Sequence, residues 1–464
     1  MLINTGLNAV TDIFAKGRAF VAHEIHEESV RPSNALSGSL AHYTMGIICD
    51  NDEKFEEAIR EYRQALSLEP NISYIHTRLA VDYILTNKED QALDELKIAA
   101  SLDPADVKPK FLRALAYTAK GKFEEARKEY ADIMRMDPES VWALSSLADL
   151  LVLQQKLGEA ASIYEKLLEK EKGSSAIYFN LAVIYSKLGK TDAAIDKLKE
   201  ALKLDPEYVE GYIGLGILYE SKKDYSGAIK NFNKALEIEP GNSPLYYYLG
   251  LLYSKAGKIN EAVAQYELLI KLNPKDALAY IQWANIYLKQ KKYGDAVAVL
   301  DKAVKGGIKD VGIYLALGYA NSELKDYDAS LKFYNTALEL DKKEPMVYFY
   351  LGSLYDKLRN KDAAVKKMRE AIKLDPGFAD AYNYLGYMFA ESGENLDEAI
   401  VLIKKALEAD PDNGAYIDSL GWAYFKKGEK EEAIKLLEKA VKLEPGEAEI
   451  KGHLETVKKA LKRK

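Results

Sequence analysis

The sequence predicts an all-α protein built as a solenoid of helix-turn-helix repeats. Three observations carry that expectation. A skeleton of Tyr212, Leu215, Gly216, Tyr219, Ala228, Phe232, Ala235 and Pro240 returns 34 residues later as Tyr246, Leu249, Gly250, Tyr253, Ala262, Tyr266, Leu269 and Pro274. Nine of the thirteen prolines, at 70, 104, 138, 206, 240, 274, 376, 411 and 445, share one phase, with gaps that are multiples of 34 except the one ending at 411, which is a residue longer. Small residues recur at two further phases. A solenoid grows by stacking units, so the roughly three domains that a length of 464 residues suggests are not needed.

Taken in order, residues 1–38 read as an amphipathic helix and a linker. Ile3, Leu7, Val10, Phe14 and Phe20–Val21 stand close to helical spacing, with Asp12, Lys16 and Arg18 mostly on other faces, so this stripe is expected to pack on the first repeat. A membrane-surface helix would carry a polar face rich in Lys and Arg, which this one lacks. RPSNALSGS, residues 31–39, is the linker. Twelve repeats then fill 39–445, beginning near 39, 73, 107, 141, 175, 209, 243, 277, 311, 345, 379 and 414. One slot in each first helix is always Gly or Ala, from Gly46 and Ala80 through Gly386 and Gly421. A slot in each second helix is Ala, from Ala58 through Ala433, with Ser330 the exception. Small residues there allow close helix contact, and a larger one should overpack the crossing at about 1–3 kcal/mol. Gly121, Gly189, Gly257, Gly393 and Gly428 share the turn after the first helix, where left-handed backbone is easiest for Gly.

Four repeats depart from the pattern. The fourth ends EKEKGSS without proline, the eighth ends KAVKGGIKD with Gly306–Gly307, the ninth has its proline displaced to Pro345, and the eleventh holds one extra residue within SGENLDEA. At these places the array is expected either to bend or to drift harmlessly in an exposed turn. Residues 446–464, with Ile450, Leu454, Val457 and Leu461 on one face, read as a capping helix whose polar outer face closes the solenoid.

Composition narrows the function. With 48% hydrophobic and 30% charged residues the chain is not of a disordered type. A net charge of −7 argues against a nucleic-acid scaffold, which needs a basic face to meet phosphates. Cys49 is the only cysteine, which excludes an intrachain disulfide and leaves the redox compartment open. No stretch approaches the ~18 apolar residues of a membrane span. The N-terminus lacks the order of a secretory signal, so the chain as written reads as cytoplasmic, with the cell envelope or periplasm the alternative if the start is misassigned. HEIHEE at 23–28 looks at first like a zinc-peptidase signature, but that motif needs histidines four apart and the residue four after His23 is Glu27. No metal or other cofactor is expected. No phosphate loop, nucleophile elbow or catalytic carboxylate pair breaks the repeat, so an enzyme is not expected either.

The stretch YIGLGILYESKKDYSGAIKNFNKALEIEP, residues 212–240, resembles the tetratricopeptide repeat (TPR), with Tyr where the usual signature has Trp. The resemblance covers nearly the whole chain. It implies a right-handed superhelical α-solenoid whose first helices line a concave surface, and a non-catalytic scaffold or adaptor that holds a protein or peptide partner there. Carried onto this register, the partner-binding groove comprises Tyr43, Ile47, Tyr74, Val81, Ile84, Phe111, Leu115 and Trp142, and the lining becomes mixed in charge beyond residue 209. An apolar, aromatic groove suits the buried anchors of a protein partner; the alternative is that these side chains pack between repeats or under the N-terminal helix. The Lys/Asn clamp of chaperone-tail TPR domains is missing, since Tyr43 and Ile47 take two of its slots. The last two repeats, DAYNYLGYMFAESGENLDEAI and GAYIDSLGWAYFKKGEKEEAI, resemble long bacterial multi-repeat members, many associated with the cell envelope. An accessory factor for envelope assembly or export is therefore the alternative function. The identity of the partner and the oligomeric state stay open.

Overall fold

The computed structural model describes residues 37–170 and 173–462. The helix expected over residues 3–21, the start of the linker and the HEIHEE motif lie outside them. The described residues hold 25 helices and no strand. They form two units, one ending at Pro240 and one beginning at Gly241. The first holds α1 (Ser37–Asn51), α2 (Phe55–Leu68), α3 (Ser73–Leu85), α4 (Glu89–Leu102), α5 (Lys108–Ala119), α6 (Phe123–Met136), α7 (Val141–Leu153), α8 (Leu157–Lys170), α9 (Ser175–Lys187), α10 (Thr191–Leu204), α11 (Val209–Ser221) and α12 (Tyr225–Ile238). The second holds α13 (Ser243–Lys255), α14 (Ile259–Leu272), α15 (Ala277–Lys289), α16 (Tyr293–Lys305), α17 (Val311–Glu323), α18 (Tyr327–Leu340), α19 (Pro345–Lys357), α20 (Lys361–Leu374), α21 (Ala379–Ser392), α22 (Leu396–Ala409), α23 (Gly414–Lys427), α24 (Lys430–Leu443) and α25 (Ala448–Lys462).

The two helices of a pair are built differently. A second helix such as α2 buries one stripe, Ala58, Ile59, Tyr62 and Ala65, and leaves its other side to water. A first helix such as α7 buries Ala143, Leu144, Ser146, Leu147, Ala148, Leu150 and Leu151, because it lies between its own partner and the pair before it.

One device joins every pair. Residues Glu53, Asn87, Gly121, Gln155, Gly189, Lys223, Gly257, Lys291, Lys325, Arg359, Gly393 and Gly428 all have positive φ, between 57° and 96°. At each, the following residue's N–H bonds back to a carbonyl five residues earlier, as in Lys122 to Tyr117 at 2.8 Å and Asp326 to Asn321 at 2.9 Å. This Schellman closure satisfies carbonyls that a helix end would otherwise orphan. Five of the positions are Gly, at no steric cost; seven are not, and each of those bears a left-handed strain of roughly 1 kcal/mol.

The crossing within a pair is equally regular. A Cβ added to Gly46, Gly216, Gly250 or Gly318 would stand under 3.0 Å from the ring of Tyr62, Phe232, Tyr266 or Tyr334, the bulky residue sixteen positions on. Glycine is needed here for space, not for φ. Ser330, the exception among the alanines, is fully buried and donates to the Gly318 carbonyl at 2.7 Å, so its hydroxyl is satisfied within the crossing.

Three of the four departures are absorbed locally; the end of the fourth repeat falls on residues 171–172, outside the described residues. At the eighth repeat the amide of Gly307 (φ 83°) donates to the Val304 carbonyl at 3.0 Å and that of Ile308 to Ala303 at 3.1 Å. Ile308 is buried at 9% exposure, so the Gly306–Gly307 turn is a closed Schellman end with its hydrophobic contact in place. Pro345 becomes the first residue of α19, where a missing N–H costs nothing. The extra residue of the eleventh repeat lies in the turn between α21 and α22, where Asn395 (φ 51°) adds a second left-handed residue. Gly386 then meets Ile403, seventeen positions on, so the helices keep their packing. At the end of the chain, α25 buries Ile450 and Val457 against residues of α23 and α24 and exposes Lys451, Glu455, Lys458 and Lys459.

Candidate functional site

The expected groove residues divide into three groups. Tyr43 on α1 and Tyr74 on α3 are half-buried and meet edge to face, their centroids 5.0 Å apart at 72°. Val81 and Ile84, also half-buried, pack on the same apolar cluster, which Tyr62, Leu79 and Tyr83 fill from beneath; Ile47 is half-buried one turn along α1 from Tyr43. Trp142 on α7 is exposed at 40%. Phe111 and Leu115 do not belong with these. At 2% and 3% exposure they lie inside the core around Tyr130, whose ring Phe111 meets edge to face at 6.1 Å. The phase that brings Tyr43 to the surface turns Phe111, two repeats on, inward, because Tyr130 offers it a ring to pack on. The groove assignment is corrected by removing these two.

The sequence reading missed a polar group beneath this patch. Tyr62 donates to Asp50 Oδ2 at 2.5 Å, and Arg78 Nη1 stands 3.4 Å from the same oxygen. Asp82 is buried at 1% exposure. Burial first, then the charge of Asp50 and a hydrogen bond to it, raise the Asp82 carboxyl to about 9. Asp50 Oδ1 and Asp82 Oδ2 are buried and accept from no donor, which favours a proton held on Asp82 beside the Asp50 charge. The signal was an aspartate at a phase where later repeats place Ala116, Leu150, Ile184 and Leu218.

The two described histidines of this unit, His42 and His76, are held by neighbouring carboxylates. His76 is 6% exposed, with Nδ1 2.6 Å from Glu95 and Nε2 2.9 Å from the Pro70 carbonyl. Burial opposes its charge, but the Glu95 hydrogen bond and the Pro70 carbonyl raise its pKa. His42 pairs with Glu61 at 2.7 Å in the same geometry one repeat earlier. Among the described residues no group of three or more His, Cys, Asp or Glu could hold a metal ion. No helix among them is long and apolar enough to cross a membrane.

In the second unit polar side chains of successive first helices pair with one another. Lys357 reaches Glu323 at 2.5 Å, and Tyr384 donates to Asp356 at 3.1 Å. At the C-terminal end Trp422 stacks on His453 at 4.1 Å and 19°, while its Nε1 donates to Glu391 at 2.8 Å and Lys426 lies 5.0 Å over its ring. His453 Nδ1 is 2.8 Å from Asp418 Oδ2, and Tyr387 donates to Glu449 at 2.8 Å. The Asp418–Trp422 pattern that stands out in the sequence therefore fastens α25 to α21 and α23.

Family models described as "Tetratricopeptide repeat" match residues 39–72, 111–176, 163–196, 281–345, 350–414 and 390–454. One described as "TPR repeat" matches 184–223, and one described as "Anaphase-promoting complex, cyclosome, subunit 3" matches 221–303. No curated protein matches the sequence. Among solved structures, a crystal structure of the yeast Tom70 is similar at 20% identity and a TM-score of 0.45, over 85% of this chain and 96% of that one. The APC/C hetero-tetramer Cut9-Hcn1 is similar at 15% identity and 0.44, over 91% and 96%. MamA is similar at 27% identity and 0.33, over 35% of this chain and 96% of that one. At such scores these likenesses say nothing about partners.

Proposed function

Because the chain belongs to the tetratricopeptide-repeat family, we propose that it acts as a non-catalytic scaffold that holds a protein or peptide partner on the first helices of its N-terminal repeats. The observation that supports this is the aromatic patch of Tyr43 and Tyr74, edge to face and half-buried, with Ile47, Val81 and Ile84 around it. Rigid aromatic rings set in a packed surface offer a partner large contact area at little entropic cost, which is how binding anchors are built. Trp142, 40% exposed, stands two repeats on at the phase of Tyr74 and is taken as a further anchor.

The test compares the wild-type chain with a variant carrying Tyr43→Ser, Tyr74→Ser and Trp142→Ser. Both are first shown to have the same helical circular dichroism and melting midpoint within a few degrees, then used as bait in lysate of the source cells. A protein retained by the wild type and lost from the variant supports the proposal. The same proteins held equally by both would refute it.

A further inference from the structure

The N-terminal end of the first unit presents a stacking face whose counterparts are buried in α3, α7, α9 and α11, and in α5 are the half-buried Arg113 and the buried Ala116. In α3, α7, α9 and α11, two side chains three residues apart face the preceding helix pair: Leu79 and Asp82 at 1% and 1% exposure, Leu147 and Leu150 at 8% and 1%, Leu181 and Ile184 at 0% and 2%, Leu215 and Leu218 at 4% and 4%. Leu79, for example, packs with Ile59, Tyr62 and Ala65 of the pair before it. The same two positions of α1 are Met45 and Ile48, at 48% and 49% exposure. Ala41, Thr44 and Asn51 continue the exposed stripe along the helix. The opposite end of the chain is not left in this way, since α25 closes it with a charged outer face.

We propose that the occupant of this face is the chain's own segment Ile3–Val21, lying as a helix across α1 and closing the array. Three features select it over other occupants. Its apolar residues Ile3, Leu7, Val10 and Phe14 are spaced four, three and four apart, a stripe about 16 Å long if helical, close to the run of about 15 Å from Ala41 to Asn51 on α1. The fifteen residues 22–36 can reach about 50 Å when extended, ample to reverse direction over one helix. Attachment through that linker gives an effective concentration on the order of millimolar, so even weak packing suffices. A second copy of the chain is disfavoured by area: a face whose exposed large apolar side chains are Met45 and Ile48 falls well short of the ~800 Å² per partner that a stable dimer needs. The stripe would bury the apolar side chains of both helices and leave Asp12, Lys16 and Arg18 to solvent. The segment so placed does not cover Tyr43, on another side of α1, or Tyr74, on α3.

Hydrogen exchange read by mass spectrometry on the full-length chain tests this. Three proteins are compared at two concentrations tenfold apart: wild type, Leu7→Asp/Phe14→Asp and Ile48→Asp. The double substitution lies outside the helix pairs and so leaves their folding intact. The expected result is joint protection of residues 4–20 and 40–50 in the wild type at both concentrations. Either variant should make both stretches exchange at least tenfold faster, with α5 onward unchanged. Exchange of residues 40–50 that is the same in the wild type and in Leu7→Asp/Phe14→Asp would overturn the proposal. Protection that falls on dilution would also overturn it, and would name a second copy as the occupant.

Discussion

The Asp50–Asp82 pair shows what one proton does in a packed interior. The folded state holds a proton on Asp82 that an unfolded aspartate, with a pKa of about 3.9, gives up. Its stabilisation is therefore complete below that value and is lost as pH rises toward about 9. Asp82→Asn keeps a donor toward Asp50 without the titration. We expect its thermal midpoint to exceed the wild type's at pH 8 by the equivalent of about 1 kcal/mol or more, and the difference to vanish near pH 4; a parallel pH dependence in the two proteins would refute the proton held on Asp82. Gly318 makes the corresponding point about volume. Its substitution by Ala gains helix propensity of up to about 1 kcal/mol but drives a methyl into Tyr334. The net loss should be roughly 1–3 kcal/mol in denaturant titration. The neighbouring repeat carries Ala284 with Leu300 at these two positions, so Gly318→Ala should cost much less in a Tyr334→Leu background. Equal costs in both backgrounds would show that the ring is not what the methyl meets.

At the scale of the helix pair, the left-handed turn decides both stability and how much could be read beforehand. Lys325 has φ 66°, where glycine is free of strain. Lys325→Gly should stabilise by about 0.5 kcal/mol, the relieved strain less the extra freedom glycine gives the unfolded chain. Gly257→Ala, at φ 73°, should cost about 1 kcal/mol, and both are read from urea midpoints at unchanged slope. The glycines at 121, 189, 257, 393 and 428 announced this turn in the sequence. The same conformation at Glu53 or Arg359 was not legible from residue type, only from register. Repetition made the elements readable, since each slot was sampled many times. It could not tell Phe111 from Tyr43, because which way a large ring turns depends on the ring it can pack against, and Tyr130 supplies one to Phe111.

For the molecule as a whole, contacts run mainly from one repeat to the next. Ion pairs such as Lys88–Glu56, Lys120–Asp90 and Lys222–Asp192 link residues 30 or 32 positions apart on exposed surfaces, and each adds little. Stability is then close to a sum over neighbours, and damage stays local. His453→Ala removes the partner of the buried Asp418 and the ring stacked on Trp422. Loss of that hydrogen bond to a buried carboxylate should cost roughly 1–3 kcal/mol locally. Tryptic cleavage within α25 should become at least tenfold faster while fragments from the first unit stay as resistant as in the wild type. Loss of resistance in both units together would show a cooperativity that nearest-neighbour contacts do not provide. These joints were invisible in the sequence because their partners, 28 to 36 residues apart, share a meaning only once the register is known.

The twelve left-handed turns also bear on how a chain like this changes over generations. A duplication or loss of 34 residues within the second unit, between Gly241 and Leu374, would rejoin a second helix to a first helix with the small-against-large spacing and the left-handed turn already in place. Length is thus a quantity that recombination can alter without inventing a new contact. The His453–Asp418 joint is different, for nothing else in the described chain repeats it, and a copy made there would carry one lock and no matching key.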